Sequence, residues 1–115
     1  MEELNKLELA VLHSLVKQYP SLKEHIPYLK VRDREITGVG MYVSFIYSEF
    51  EDVIKNIEII SASLSTDENI EIEGLEFGLG FEVDITDGKI NFIEFINYGE
   101  DWDGSFTEFN IVKDI

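Results

Sequence analysis

The chain has 115 residues, of which 24 are acidic and nine are basic, so its formal net charge is −15 at neutral pH. This charge excludes a general affinity for nucleic acid or anionic membrane, and it attracts basic partners. The chain holds no cysteine, which excludes disulfides, thiolate metal sites and cysteine nucleophiles. The charge is unevenly spread, since residues 1–34 carry a net +1 and residues 35–115 a net −16.

Length and composition predict a single domain over residues 1–115. The hydrophobic fraction of 44 % is enough for a real core and argues against disorder. The first residues have neither the basic region nor the apolar stretch of a signal peptide. No apolar run approaches the roughly 20 residues that span a bilayer. We therefore expect a cytoplasmic protein that does not associate with membranes.

The N-terminal third predicts two helices. Apolar residues recur at helical spacing from about Glu2 to Gln18, and Glu8 falls at the rim of this apolar stripe. Pro20 ends the first helix. Ser21-Leu-Lys-Glu24 fits a capping box for a short second helix, which Pro27 then ends.

After the helices the apolar residues alternate with a period of two, which predicts strands. Asp87-Gly88 is a favoured type I′ pair and predicts a tight hairpin, whereas Ser48–Lys55 predicts a loop or a single helical turn. The predicted strands are Leu29–Ile36, Met41–Tyr47, Ile57–Leu64, Ile70–Glu73, Gly78–Ile85, Lys89–Tyr98 and Phe106–Val112. This order predicts an α+β domain with an antiparallel sheet of about five or six strands and one or two N-terminal helices packed on one face.

The register of the hairpin singles out Glu94. A two-residue turn places Glu94 opposite Phe81 on an otherwise apolar face, which we expect to be the core face. A buried lone carboxylate is costly, so it should be paired, hydrogen-bonded or neutral. We favour a structural pair with Arg32, Arg34 or a tyrosine hydroxyl. The alternative is a general base or ligand anchor in a pocket.

An acidic turn around the chain's single tryptophan is the sharpest local cluster. Carboxylates beside an indole ring can bind Ca²⁺ or capture the side chain of an arginine or lysine. As an EF-hand loop the segment fails, because the bidentate Glu is missing. A solvated turn with Trp102 folded onto the edge of the core is an equal alternative. The expected partner contacts are Glu100, Asp101, Trp102 and Asp103, with Glu71, Glu73 and Glu76 as secondary contacts.

No arrangement of residues typical of catalysis is present. His13 and His25 are isolated, so we expect both on the surface and no zinc site. The glycine pairs at 38–40 and 78–80 open no helix, so neither predicts a phosphate loop. We therefore assign no catalytic residue, metal or cofactor, and an enzyme is the less favoured class.

Three segments resemble a group of small uncharacterised bacterial proteins. They are a TGVG-aromatic strand at Thr37–Phe45, a glycine-rich strand at Gly74–Val83, and the hairpin with its acidic tryptophan turn at Asp87–Trp102. Members of that group are similar to small proteins encoded singly or beside toxin-like genes. The resemblance therefore implies a toxin-immunity role, and it carries over no catalytic residues.

The leading hypothesis is an immunity or inhibitor protein that occupies a basic partner such as a nuclease toxin. The second is a small-ligand-binding protein or enzyme that uses Glu94 in a pocket. The third is a self-associating protein, such as a homodimer, whose close contacts the net charge opposes.

Overall fold

The computed structural model describes residues 2–48 and 61–113. Within them it contains one α-helix, two short 3₁₀ helices and seven strands. Helix α1 is Lys6–Val16, and the 3₁₀ helices are Pro20–Glu24 and Ile26–Tyr28. The strands are β1 Leu29–Ile36, β2 Gly40–Tyr47, β3 Ala62–Leu64, β4 Glu68–Ile72, β5 Gly80–Thr86, β6 Lys89–Ile96 and β7 Phe109–Lys113.

The strands form two antiparallel sheets. The main sheet has five strands in the order β1-β2-β6-β5-β3, and β4 pairs with β7 in a separate two-stranded sheet. A single bridge between Ile70 and Leu79 connects the small sheet to the main one. Apolar side chains of α1, the 3₁₀ helices and the small sheet join one face of the main sheet in a common core. The predicted α+β fold with an antiparallel sheet and N-terminal helices is confirmed.

The strand predictions differ from the structure mainly in how the last strand pairs. The predicted final strand corresponds to β7, which pairs with β4 and lies outside the main sheet. Only the end of the predicted strand Ile57–Leu64 lies in the described residues, as β3. The predicted loop Ser48–Lys55 lies outside them apart from Ser48.

Helix α1 begins four residues later than its apolar pattern predicts. Asn5 caps it, because its side chain accepts a hydrogen bond from the Glu8 amide while the Glu8 carboxylate accepts one from the Asn5 amide. Glu2 precedes the helix and forms a bridge with Val31 at the edge of β1. The Asn-x-x-Glu spacing is a readable signal for this start.

The second helix and the histidine assignment also need correction. Pro20–Glu24 is a 3₁₀ helix without a side-chain cap, so the predicted capping box at Ser21 does not form. His25 is buried, being only 2 % exposed, whereas we expected it on the surface. Its Nδ1 atom lies 2.8 Å from the hydroxyl of Tyr47. His13 is exposed, as expected.

A β-bulge in β6 overturns the prediction for Glu94. The Asp87-Gly88 turn forms as expected, with φ angles of 52° and 72°, and the hairpin starts in the predicted register. The register then shifts by one residue at Asn91, so Glu94 lies opposite Glu82 instead of Phe81. A shift of one residue moves every later side chain to the other face. Glu94 therefore lies on the outer face of the sheet.

Among the described residues, the buried carboxylate is that of Glu8. A second bulge, in β1, shifts the register at Arg32 and places Arg34 opposite Val43 on the core-facing side. Arg34 donates from Nε and Nη2 to the two oxygens of the Glu8 carboxylate, at 2.7 and 2.9 Å. This charge pair raises the pKa of Arg34 well above its usual range. The structural pair expected for Glu94 thus forms between Arg34 and Glu8.

Candidate functional site

Three loops meet at one end of the main sheet, and we call this surface the acidic end. They are residues 37–39, 73–78 and 97–106. The amide of Asn97 donates to the carbonyl of Val39 at 2.9 Å. The carboxylate of Glu100 accepts hydrogen bonds from the amides of Glu76 and Phe77 at 2.8 and 2.9 Å. The two predicted acidic segments are therefore neighbours in space.

The acidic end carries charge of one sign. Its three loops contain five carboxylates and neither lysine nor arginine. The carboxylates are those of Glu73, Glu76, Glu100, Asp101 and Asp103. Such a surface concentrates negative potential and attracts a cationic partner.

The same end holds the exposed large hydrophobic side chains of the described residues. Ile36, Val39, Phe77 and Tyr98 are each between 51 % and 60 % exposed. Ile36 ends β1, Val39 lies in the next loop, and Phe77 and Tyr98 lie in the other two loops. Exposed apolar side chains gathered among charged ones are typical of interaction surfaces.

Two contacts anchor Trp102 at this end. Its ring packs edge-to-face on the buried Phe95, with 5.9 Å between the ring centroids. Its Nε1 atom donates to the carbonyl of Ser105 at 2.8 Å. The structure thus folds the indole onto the edge of the core and leaves it half-buried.

Asp103 and Ser105 close the tryptophan turn. The Asp103 carboxylate accepts from the Ser105 amide at 3.0 Å and from its hydroxyl at 2.5 Å. These hydrogen bonds favour the ionised carboxylate and lower the pKa of Asp103 below its usual value. Asp103 is therefore a negative charge that also shapes its loop.

Two open clefts flank the 73–78 loop. The first, of about 510 Å³, is lined by the predicted residues Glu71, Glu73 and Glu76. The second, of about 590 Å³, is lined by Asp101, Trp102 and Asp103 together with Glu73. Glu73 and Leu75 line both clefts, so the predicted primary and secondary contacts form a continuous surface.

The carboxylate of Glu100, unlike those of Asp101 and Glu76, is engaged by backbone amides. Its two carboxylate oxygens accept the backbone hydrogen bonds that tie the 97–106 loop to the 73–78 loop. A carboxylate occupied in this way holds the loops in place. Asp101 and Glu76 are exposed and remain the better candidates for contact with a partner.

Glu94 is not part of the acidic end. It lies between Tyr42 of β2 and Glu82 of β5 on the outer sheet face. Its charge, and its hydrogen bond with the Tyr42 hydroxyl, raise the pKa of Tyr42 above its usual value. The expected core-facing position of Glu94 is wrong, so the argument for a buried catalytic carboxylate there no longer holds.

The described residues hold no group of three or more histidine, aspartate or glutamate side chains arranged to bind a metal ion. In the same part of the chain, no helix has the length and apolar character needed to cross a membrane. Comparison with protein-family models, curated proteins and solved structures finds no match.

The exposed hydrophobic residues of the acidic end are the functional candidates that the sequence analysis missed. Ile36 and Tyr98 were counted as strand residues, and Phe77 was named only as part of the glycine-rich segment Gly74–Val83. A signal was present, because Val39 and Phe77 each stand beside a glycine between two predicted strands. Large apolar residues in glycine-rich turns often lie on the surface, where they can contact a partner.

Proposed function

We propose that this protein binds the basic surface of another protein through the acidic end, as an immunity or inhibitor protein does. The observation that carries the proposal is the coincidence of two features in the same three loops. Those loops hold five carboxylates without a basic residue, and they also hold or adjoin the exposed hydrophobic side chains.

The two features supply different parts of the binding. The carboxylates steer a cationic partner during its approach, which raises the association rate. The exposed apolar side chains then lose contact with water, and burial of their apolar area stabilises the complex. These side chains are Ile36, Val39, Phe77 and Tyr98. A nuclease toxin fits this description, because its active site is basic and must be covered to be neutralised.

Rigid loops favour this kind of recognition. The hydrogen bonds of Glu100, the indole of Trp102 on Phe95 and the Asp103–Ser105 turn fix the surface before a partner arrives. Binding then costs little additional ordering of the loops.

The test is capture of the partner from lysate of the native host at low salt, followed by purification and measurement of Kd by calorimetry. A single basic protein with a stoichiometric complex is expected. Asp101→Lys and Glu76→Lys should each weaken it about tenfold or more, since like charges would then face each other. Higher salt should weaken the unmodified complex, because exposed charges are screened.

Glu24→Lys is the matched control. It makes the same change of charge on an exposed residue next to His25, which contacts Tyr47 at the opposite end of the sheet. It should leave Kd nearly unchanged. If Glu24→Lys and Asp101→Lys lower the affinity equally, only net charge matters and the proposal is rejected. An empty eluate from a lysate rich in basic proteins would also reject it.

A further inference from the structure

The outer face of the main sheet is a second surface, separate from the acidic end. The buried residues of β2, β5 and β6 point to the opposite face, toward α1 and the small sheet. On the outer face the side chains of these strands are half-buried or exposed.

Two neighbouring rows of side chains cross this face. One row contains Glu35, Tyr42, Glu94 and Glu82, from β1, β2, β6 and β5 in turn. The next contains Asp33, Ser44, Phe92, Asp84 and Ser63. The two rows hold five carboxylates and no basic residue. Arg32, in the bulge of β1, lies 3.8 Å from Asp33 at the sheet edge.

The bulge at Asn91 creates this surface. Without it, Phe92 and Glu94 would lie on the core face, as the hairpin turn alone predicts. With it, Phe92 packs edge-to-face on Tyr42, with 5.3 Å between ring centroids. Bulges are common next to functional sites because they redirect side chains.

The face also keeps two like charges directly opposed. Glu82 and Glu94 are cross-strand partners, an arrangement that disfavours the sheet. Ser63 donates one hydrogen bond to Glu82 at 3.2 Å, and Tyr42 interacts with Glu94. Neither contact brings a positive charge between the two carboxylates.

We propose that the outer face docks an arginine side chain of a partner protein, which bridges Glu82 and Glu94 beside the Tyr42–Phe92 pair. Neighbouring strands are about 4.8 Å apart, so one guanidinium reaches both carboxylates. Its flat face can rest on an aromatic ring. The proposal is independent of the acidic end and does not rest on its function.

Charge complementarity selects this occupant. A second copy of the same face would bring five more carboxylates against the first five. Lysine fits less well than arginine, because its single ammonium group cannot donate in the planar two-sided pattern that bridges a pair of carboxylates.

The experiment titrates the full chain with a capped peptide of alternating arginine and threonine, and with its lysine counterpart, at physiological salt. Backbone amide NMR locates the contact and gives Kd. The expected result is saturable binding of the arginine peptide, with shifts centred on Tyr42, Phe92 and Glu94. Glu94→Gln and Glu82→Gln should each weaken it about tenfold, since a charged hydrogen bond is lost.

Asp101→Asn at the acidic end is the matched control and should leave this affinity unchanged. The thermal midpoint of Glu94→Gln should not fall, because the variant removes repulsion. Preference for the arginine peptide over the lysine peptide supports bridging.

Four results would overturn the proposal: no binding, equal affinity for the two peptides, shifts centred on the acidic end, or a dimer that Phe92→Ala dissociates. If Glu94→Gln lowers the thermal midpoint, its carboxylate is structural, and Glu82→Gln alone then decides the affinity test.

Discussion

Replacing Glu8 by glutamine should destabilise the fold strongly, because it removes the buried negative charge that pairs with the guanidinium of Arg34. Glu8 is 0 % exposed and accepts two hydrogen bonds from the guanidinium. Glutamine keeps the shape of the side chain and an oxygen for the Asn5 amide, so the helix cap should persist. The variant therefore isolates the charge.

The loss in free energy of unfolding can be judged from the burial of the ion pair. Removing one partner of a buried ion pair costs about 3–5 kcal/mol. The side chain of Arg34 is 27 % exposed and also contacts Glu2, so water and Glu2 offset part of the penalty. We expect the lower end, about 3 kcal/mol, which lowers Tm by about 10 °C in a domain of this size.

Denaturant unfolding followed by circular dichroism measures this loss, and Glu2→Gln is its matched control. Glu2 contacts the same guanidinium but its side chain is 71 % exposed, so its removal should cost less than about 1 kcal/mol. Replacing Glu8 and Arg34 together by methionine should recover most of the stability, because no buried charge is then left alone. If Glu8→Gln and Glu2→Gln cost the same, the pair is not buried and this account of the helix–sheet contact is wrong.

Three further predictions concern single side chains. Ser105→Ala should raise the pKa of Asp103 toward its ordinary value in an NMR titration, because the hydrogen bond from the Ser105 hydroxyl is lost. In the unmodified protein this hydrogen bonding stabilises the fold at pH values above the ordinary pKa of aspartate, and the stabilisation is lost as pH falls through the lowered pKa of Asp103. An unchanged pKa in the variant would contradict the turn. Glu94→Gln should lower the pKa of Tyr42 toward its ordinary value, as measured by ¹³C NMR of the ring, and an unchanged pKa would show that Glu94 does not cause the shift. In the unmodified protein the linked stabilisation of the fold is complete below the ordinary pKa of tyrosine and is lost as pH rises through the raised pKa of Tyr42. Gly88→Ala should cost about 1–2 kcal/mol in thermal unfolding, because φ of 72° is strained for alanine, and a neutral result would contradict the turn type.

Local signals in the sequence predicted the elements well but not which side chains of β6 face the core. The Asp87-Gly88 turn and the alternation of β5 were readable, and the hairpin is confirmed. The bulge at Asn91 was not, because residues 90–96 hold large apolar side chains at positions of both parities. An internal clue existed, since a lone glutamate on the core face is itself a reason to test a shifted register.

The acidic end was predicted in composition but not in geometry. The acidic contacts were identified from charge and Trp102 from its indole ring, yet nothing local indicates that Glu100 ties the two segments together. Contacts between distant segments depend on strand order, and the separate pairing of β4 with β7 has no local signal. Long-range pairing is therefore the part that sequence patterns leave undetermined.

The position of Trp102 gives the molecule a built-in optical reporter. It is the chain's single tryptophan, and it stands against Phe95 at the same end that carries Phe77 and Tyr98. Selective excitation near the red edge of protein absorbance therefore samples one indole in one environment. A molecule that binds beside it changes the emission maximum or the lifetime of its fluorescence, so binding at the acidic end can be followed in real time with the unlabelled native chain.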